Sequence, residues 1–291
     1  MKSSRELPVR RIGFRPLRAA AFGVVIGACL WSPSPCRAEA PSKAEAAAFL
    51  DQFRRSVWVE PTYAEFDLRQ MPRRGAELLY HGRFWGARNE RGPITRFEVF
   101  GAKDGGTRRI LIQGGPDPQI WITDGAGAGT PSPQALMQPL ITGLDIAPFD
   151  LLPMPYLYWL DSELVGVERI RGRQAYVYLL TAPADFPAGA SGVRAVRAYL
   201  DAQYDALEQS ETLRGDGTVA KTLSLLELRK VGPRWIPKDV DVRNEVTRDK
   251  TRLTLTAIAV GTPSDPAVFD PSRLGAPAAR PSADQVTRIT Q

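Results

Sequence analysis

Short runs of alternating apolar and polar residues, separated by turn signals, fill most of the chain beyond residue 60. Such a run forms a strand with one buried side, because successive side chains of a strand point to opposite faces. Turn signals recur at ERGP (90–93), KDGG (103–106), GDG (215–217) and VGPR (231–234), and they indicate antiparallel strands in chain order. We predict strands near 62–69, 76–86, 94–101, 107–113, 118–123, 164–170, 174–181, 194–201, 206–213, 220–230, 234–244 and 251–260.

Several of these strands are apolar on both faces. In QAYVYLL (174–180), Val177 and Leu179 lie on one side, and Tyr176 and Tyr178 lie on the other. An antiparallel sheet with one face in water alternates more cleanly. Either both faces are covered, or one faces something other than water, which fits a curled sheet around an apolar lining.

One helix is predicted before all the strands, within residues 40–57. Ser42 is a plausible N-cap, and Glu45 follows it at the spacing of a capping box. Ala46, Leu50 and Phe53 are spaced to share one face of this helix. We expect that face to pack on the sheet.

The stretch FDLLPMPYLYWLD (149–161), here called the proline-broken segment, is apolar but irregular. Nine of its thirteen residues are large and apolar or aromatic, and Pro153 and Pro155 interrupt them. Leaving nine such side chains in water would cost more than about 10 kcal/mol, which rivals the net stability of a typical domain. We therefore predict that this segment is a bent lid that closes the open sheet.

The first 38 residues resemble an export signal. They hold seven basic residues and one acidic residue, and so carry the whole net charge of +6. The apolar run 19–31 has 13 residues, too few to span a bilayer, and small residues lead up to Ala38. We predict a signal peptide over 1–38, cleaved after Ala38, and an exported, periplasmic protein. Two alternatives stay open: a membrane anchor helix at 19–31, or a lipoprotein with its lipid on Cys29.

Composition argues against two classes of function. Beyond residue 38 the chain holds 31 basic and 31 acidic residues and has no long basic run, so we expect no nucleic-acid partner. Both cysteines, Cys29 and Cys36, precede the predicted cleavage site. The mature chain would then have no disulfide, thiol nucleophile or thiolate metal site.

The motifs of enzymes are absent or weak. His81 is the only histidine and lies in a strand-like run; there is no G-x-S-x-G or zinc motif. DGAGAGT (124–130) lacks the third glycine of a phosphate loop and is interpreted as a flexible turn. RIRGRQ (169–174) is interpreted as a hairpin with solvated arginines, with a partner-docking surface as the alternative. We predict a protein without enzymatic activity, cofactor or metal, and a carboxylate-dependent hydrolase stays open as a less favoured reading.

From residue 148 onward several blocks share a pattern with a known family. They are PFDLLPMPYLYW (148–159), GVERIRGRQAYVYLL (166–180), VRAYLDAQYDALEQSETLRGDGTVAKTLSLLELRKV (196–231), RWIPKDVDVRNEVTRDKTRLTL (234–255) and FDPSRL (269–274). In these blocks the chain resembles the broad LolA-like, outer-membrane lipoprotein-sorting protein family. The resemblance implies an unclosed antiparallel β-barrel whose concave face is covered by helices and loops, with an apolar cavity that takes lipid or acyl chains.

The residues and the resemblance together predict a mainly β fold with flanking helices, as an unclosed antiparallel barrel with a helix and loop lid. We expect one domain over 39–275 and a flexible tail over 276–291. The predicted function is a periplasmic carrier or chaperone for lipid or lipoprotein acyl chains. Its expected partners are an envelope membrane-protein donor or acceptor and, peripherally, a membrane surface. The alternative is an envelope protein-interaction or sensor module on the same fold.

Two groups of residues are candidates for lipid binding, and ordinary core packing is the alternative for each. The first group lies in the proline-broken segment and comprises Leu151, Leu152, Met154, Tyr156, Leu157 and Trp159. The second group lies on predicted strands and comprises Phe97, Val99, Trp121, Tyr176 and Tyr178.

Overall fold

A computed structural model describes residues 41–289, except 102–105, 142, 152–153, 188–191 and 205. The described residues form one compact unit. The predicted signal peptide, cleavage after Ala38 and lipidation at Cys29 lie outside the described residues. None of the helices that the structure describes is long and apolar enough to span a membrane.

Helix α1 (Lys43–Ser56) begins at the predicted capping box. The backbone N–H of Glu45 donates to Ser42 Oγ at 3.3 Å, and the backbone N–H of Ser42 donates to Glu45 Oε2 at 2.8 Å. Two N–H groups without partners inside the helix are satisfied in this way. Ala46, Leu50 and Phe53 are buried on one face, so the predicted helix is confirmed.

Strands make up most of the remaining chain. They are β1 (Thr62–Met71), β2 (Leu78–Asn89), β3 (Gly92–Phe100), β4 (Thr107–Gln113), β5 (Gln119–Thr123), β6 (Thr130–Pro131), β7 (Ser162–Ile170), β8 (Arg173–Thr181), β9 (Val193–Asp201), β10 (Leu207–Arg214), β11 (Val219–Val231), β12 (Arg234–Asn244), β13 (Lys250–Val260) and β14 (Thr287–Arg288). Twelve of them occupy the predicted positions, and the two-residue strands β6 and β14 are additional. Between β6 and β7 the chain forms short 3₁₀ turns at Pro133–Met137, Pro148–Asp150 and Pro155–Tyr158.

All the strands belong to one antiparallel sheet. Its order is β6-β5-β4-β3-β2-β1-β13-β12-β11-β10-β9-β8-β7, with β14 paired to β13. Two meanders, β1–β6 and β7–β13, are thus joined by the pairing of β1 with β13. The end strands β6 and β7 do not pair with each other among the described residues, so the sheet is not closed. The predicted unclosed antiparallel barrel is confirmed.

The inner face of the sheet carries the main core. Phe66, Phe84 and Phe97 lie on this face, and the Phe84 and Phe97 ring centroids are 5.7 Å apart. The buried face of α1 and the chain between β6 and β7 belong to the same cluster. Covering this face removes a large apolar area from water, which is the dominant favourable term in folding.

The outer face is covered by the C-terminal segment, here residues 266–289. Val268 packs with Tyr63 and Trp85, and Leu274 belongs to a cluster with Ile94 and Leu111. The sequence predicted a flexible tail over 276–291, whereas residues 276–289 contact the sheet in the structure: Trp85 Nε1 donates to the Ala279 carbonyl at 3.0 Å. Both faces of the sheet are therefore covered at β1 to β5 and at β13.

Arg96 anchors the C-terminal segment. Its guanidinium, on a side chain that is only 1% exposed, donates to the carbonyl oxygens of Val268 at 3.3 Å, Leu274 at 3.1 Å and Ala276. It also pairs with the fully buried Glu98 at 2.7 Å. A buried cation needs such a set of acceptors, because burial without them is costly. Desolvation lowers the pKa of Arg96, and Glu98 opposes this effect.

Arg96→Met should detach the C-terminal segment and lower the free energy of unfolding by about 3 kcal/mol, because it breaks a buried ion pair and three bonds to carbonyls. Amide hydrogen exchange should then rise in residues 266–289. Arg109→Met is the matched control, since Arg109 lies 3.5 Å from Glu98 and has no recorded bond to the C-terminal segment. Unchanged exchange in Arg96→Met would contradict the anchoring role.

Candidate functional site

The hairpin of β11 and β12 projects beyond its neighbours in the sheet. β11 pairs with β10 only as far as Ser224, and β12 pairs with β13 only from Asp239 onward. Residues 225–231 and 234–238 therefore pair across the hairpin and with no other described strand. We call residues 225–238 the projecting hairpin. At its base, Arg171 donates to the carbonyl of Leu225.

The departure of β12 leaves an edge of β13 free, and β14 occupies it. Ala257 pairs with Arg288, and Ile258 pairs with Thr287. The Ile289 N–H also donates to the Thr256 carbonyl at 2.9 Å. The C-terminal segment thus completes the sheet at the point where the hairpin diverges from it.

A cavity of about 510 Å³ lies between the projecting hairpin, the end of α1 and the inner face of the sheet. At about 30 Å³ for each atom of the size of water, it has room for about 17 such atoms, which is the size of one long acyl chain. Its principal apolar lining residues are Phe53, Val57, Trp58, Phe84, Phe97, Leu151, Met154, Leu223, Leu225, Leu228, Trp235, Ile236, Leu253, Leu255 and Ile258.

Exposed apolar side chains mark the mouth of this cavity. Val59, Tyr204 and Trp235 line it and are 60%, 52% and 56% exposed. Glu60 and Arg234 also line it and form an ion pair of 2.8 Å. Both partners of this pair are close to half-exposed, so it contributes at most about 1 kcal/mol.

Trp58 fixes the end of α1 beside the cavity. Its indole Nε1–H donates to Thr95 Oγ1 at 2.8 Å, and its ring lies against the backbone of Gly86. A Cβ at position 86 would come within 2.6 Å of that ring, so only glycine leaves room for it. The packing of the Trp58 ring on Gly86 and its hydrogen bond to the Thr95 hydroxyl hold this part of the cavity wall in place.

The proline-broken segment is tied to the sheet and to α1. Asp150, at the cavity wall, accepts from the Ala147 N–H at 2.8 Å and from Lys221 Nζ on β11 at 2.9 Å. Arg54 of α1 donates to the Leu157 carbonyl at 2.5 Å and to the Trp159 carbonyl at 3.4 Å. Charge-assisted bonds of this kind, here partly buried, hold the segment to the sheet and to α1.

Of the candidates in this segment, Leu151 and Met154 line the cavity. Tyr156, Leu157 and Trp159 are buried in the core instead. The Trp159 ring is 5.0 Å from Phe186, and burial raises the pKa of Tyr156. Leu152 lies outside the described residues.

Of the candidates on strands, Phe97 lines the cavity. Val99 is fully buried beside it in the core. Tyr178 donates to the Ala46 carbonyl at 2.8 Å, and Tyr176 meets Phe49 edge-on at 5.0 Å, so both tyrosines hold α1. Trp121 lies on the outer face with Leu274. Lipid binding by any of these residues stays a prediction.

Most of the cavity wall was not among the candidates. It comes from strands β11 to β13, through Leu223, Leu225, Leu253, Leu255 and Ile258. Alternation in TRLTLTAIAV (251–260) points to Leu253 and Leu255 as members of one face. It does not point to Ile258, because a register shift between β1 and β13 skips Thr256.

The structure shows the surroundings of His81, of the glycine-rich turn and of the RIRGRQ hairpin. His81 is exposed and contacts Asp67 at 2.7 Å. In the glycine-rich turn 124–130, the Gly129 N–H donates to the Pro271 carbonyl at 2.8 Å, which ties the turn to the C-terminal segment. Arg173 pairs with the buried Glu208 at 2.9 Å, and burial raises the pKa of that carboxyl. Among the residues described, no cluster of three or more His, Cys, Asp or Glu could hold a metal ion.

Comparison with known proteins supports the fold. A family model described as "Uncharacterized protein" matches residues 148–276. Among curated proteins, none matches this sequence. Solved structures do match, at low sequence identity.

A domain from Vibrio parahaemolyticus that is described as an outer membrane lipoprotein-sorting protein domain is 15% identical, with a TM-score of 0.64 over 77% of this chain and 94% of that one. A DUF1329 family protein from Desulfovibrio piger is 16% identical, with a TM-score of 0.66 over 81% and 100%. A LolA superfamily protein from Nitrosomonas europaea is 14% identical, with a TM-score of 0.61 over 77% and 96%. The chain therefore has the open antiparallel barrel fold of the LolA superfamily.

Proposed function

We propose that this protein is an exported, periplasmic carrier that shields one acyl chain of a lipid or lipoprotein during transit. The observation that carries the proposal is the apolar cavity of about 510 Å³ with an open mouth. Its size falls in the range of about 300–1,000 Å³ that is common for ligand sites. A chaperone of this kind needs only burial, at about 0.8 kcal/mol for each methylene removed from water.

The charged residues at the cavity support a carrier rather than a hydrolase. Two carboxylates line it, and each is ion-paired: Glu60 with Arg234, and Asp150 with Lys221. A hydrolase with two acidic catalysts needs one carboxylate as a base or nucleophile and the other as an acid. Paired in this way, Asp150 holds the wall and Glu60 joins two sides of the mouth.

The shape of the site also favours a carrier over a sensor on the same fold. A sensor that binds a protein partner requires only a sealed core and an exposed apolar patch on its surface. Here a cavity lined mainly by apolar side chains lies inside the sheet and is open at one end. The Vibrio neighbour is described as a lipoprotein-sorting domain, which supports lipoprotein acyl chains as cargo and the envelope as location. Transfer would then end at an envelope membrane-protein acceptor.

Affinity should rise with acyl chain length and then level off. Each added methylene should strengthen binding about 4-fold, until the chain reaches about 17 heavy atoms and fills the cavity. Displacement of a fluorescent fatty acid by a series of saturated fatty acids measures this on purified residues 40–291. Absence of saturable binding, or equal affinity for short and long chains, would argue against the proposal.

Leu223→Trp should weaken fatty-acid binding by at least about 10-fold, because Leu223 lines the cavity and the larger ring fills it. Leu226→Trp is the matched control, since Leu226 lies on the same strand, is 39% exposed and is not part of the lining. Circular dichroism and thermal unfolding would establish that both variants are folded. Equal affinities of the two folded variants would exclude this cavity as the binding site.

A further inference from the structure

The tip of the projecting hairpin concentrates positive charge. Its residues, RKVGPRW (229–235), include three cations and no acid, although the chain beyond residue 38 is neutral as a whole. The side chains of Arg229 and Lys230 are exposed and have no recorded ion pair with any residue that the structure describes. The tip is therefore a local cationic site on a neutral protein.

Two acids form ion pairs with cations of this hairpin. Glu227 pairs with Lys238 across the hairpin at 3.1 Å, and Glu60 pairs with Arg234 at 2.8 Å. They offset Lys238 and Arg234, and leave the charges of Arg229 and Lys230 uncompensated. Such charges are attracted to an anionic surface over about a Debye length.

Exposed aromatic side chains accompany these cations. Trp235 belongs to the tip, and Tyr204 lies at the same cavity mouth, with its ring 5.5 Å from the Arg173 guanidinium. Val59 adds an exposed apolar side chain. Trp and Tyr are the residues enriched where protein meets the lipid headgroups, and Lys and Arg are drawn to anionic lipids.

The arrangement fits a lipid surface better than a shaped protein partner. Arg229 and Lys230 are consecutive on a strand, so their side chains point to opposite sides of a two-stranded ribbon. Positive charge on both sides of the tip is suited to a diffuse anionic surface, whereas a protein partner would contact one face of the ribbon.

We propose that the tip of the projecting hairpin docks on an anionic phospholipid surface, which brings the cavity mouth against the bilayer. Docking at this point would let an acyl chain pass between bilayer and cavity without crossing water. The docking itself does not depend on the proposed cargo, because it uses residues of the tip and can be measured without any acyl ligand.

The test is sedimentation of residues 40–291 with vesicles of phosphatidylcholine and phosphatidylglycerol in a ratio of about 3 to 1, against phosphatidylcholine alone. Arg229→Gln with Lys230→Gln should weaken binding to the anionic vesicles about 30-fold, at roughly 5-fold for each cation. Arg73→Gln with Arg74→Gln is the matched control, with the same charge change in the exposed loop between β1 and β2. Binding should also fall as salt is raised.

A second measurement locates the contact. Residues 40–291 contain no cysteine, so Pro233→Cys and Arg74→Cys each accept one environment-sensitive dye. The dye at position 233 should shift to the blue with anionic vesicles, and the dye at position 74 should not. The proposal is overturned by absence of binding to anionic vesicles, by equal loss in both double variants, or by a dye at position 233 that stays in water. A tip that instead captures a protein would give the first of these results.

The Leu223→Trp variant separates the two proposals. It should lose fatty-acid binding and keep vesicle binding, because position 223 is outside the tip. Loss of fatty-acid binding alone leaves docking intact, and loss of vesicle binding alone in the tip variant leaves the carrier function intact.

Discussion

The antiparallel pairing of β1 with β13 is the contact on which the rest of the structure depends. Ten residue pairs, from Thr62 with Val260 to Met71 with Lys250, join the first strand of one meander to the last long strand of the other. Without this seam the two inner faces would not share one core, and α1 would have half a surface to cover. The register shift at Thr256 increases the local twist, which helps the sheet to curl around the cavity.

An open sheet has unpaired strand edges and two faces that need cover. The C-terminal segment pairs with one free edge and covers the outer face. β14 pairs with the part of β13 that β12 leaves, while Val268 and Leu274 cover the outer face. The polar anchor is Arg96, whose bonds to three carbonyls fix the segment at points where it has no strand partner. Where β12 diverges from β13 into the projecting hairpin, β14 takes its place at that edge, so the edge stays paired.

Local signals were enough to predict most of the fold. Alternation and turn residues gave twelve strands, and a capping box gave α1, since each depends on neighbours in sequence. β6 and β14 have two residues each, too few for any periodicity. The C-terminal tail was predicted to be flexible because it is rich in proline and alanine. Arg96, which is distant in sequence, holds it on the sheet. The lining of the cavity was harder to predict. Because QIWIT (119–123) is apolar on both faces, its pattern does not show that Trp121 lies on the outer face of the sheet. The register shift at Thr256 changes the alternation, so the sequence pattern does not assign Ile258 to the inner face.

Two parts of the chain line the cavity opposite the sheet, the proline-broken segment and the projecting hairpin, and their polar contacts differ in strength. The proline-broken segment covers the inner face of the sheet, as the sequence predicted, and the largely buried Asp150–Lys221 pair and the bonds from Arg54 hold it to the sheet and to α1. Breaking an ion pair whose carboxylate is buried costs more than breaking an exposed pair. The projecting hairpin is a two-stranded ribbon, which is marginal without further neighbours, and the half-exposed Glu60–Arg234 pair that ties it to the opposite side contributes at most about 1 kcal/mol. The polar contacts of the proline-broken segment are therefore stronger than the ion pair across the mouth of the cavity, because the partners of the segment are further removed from water.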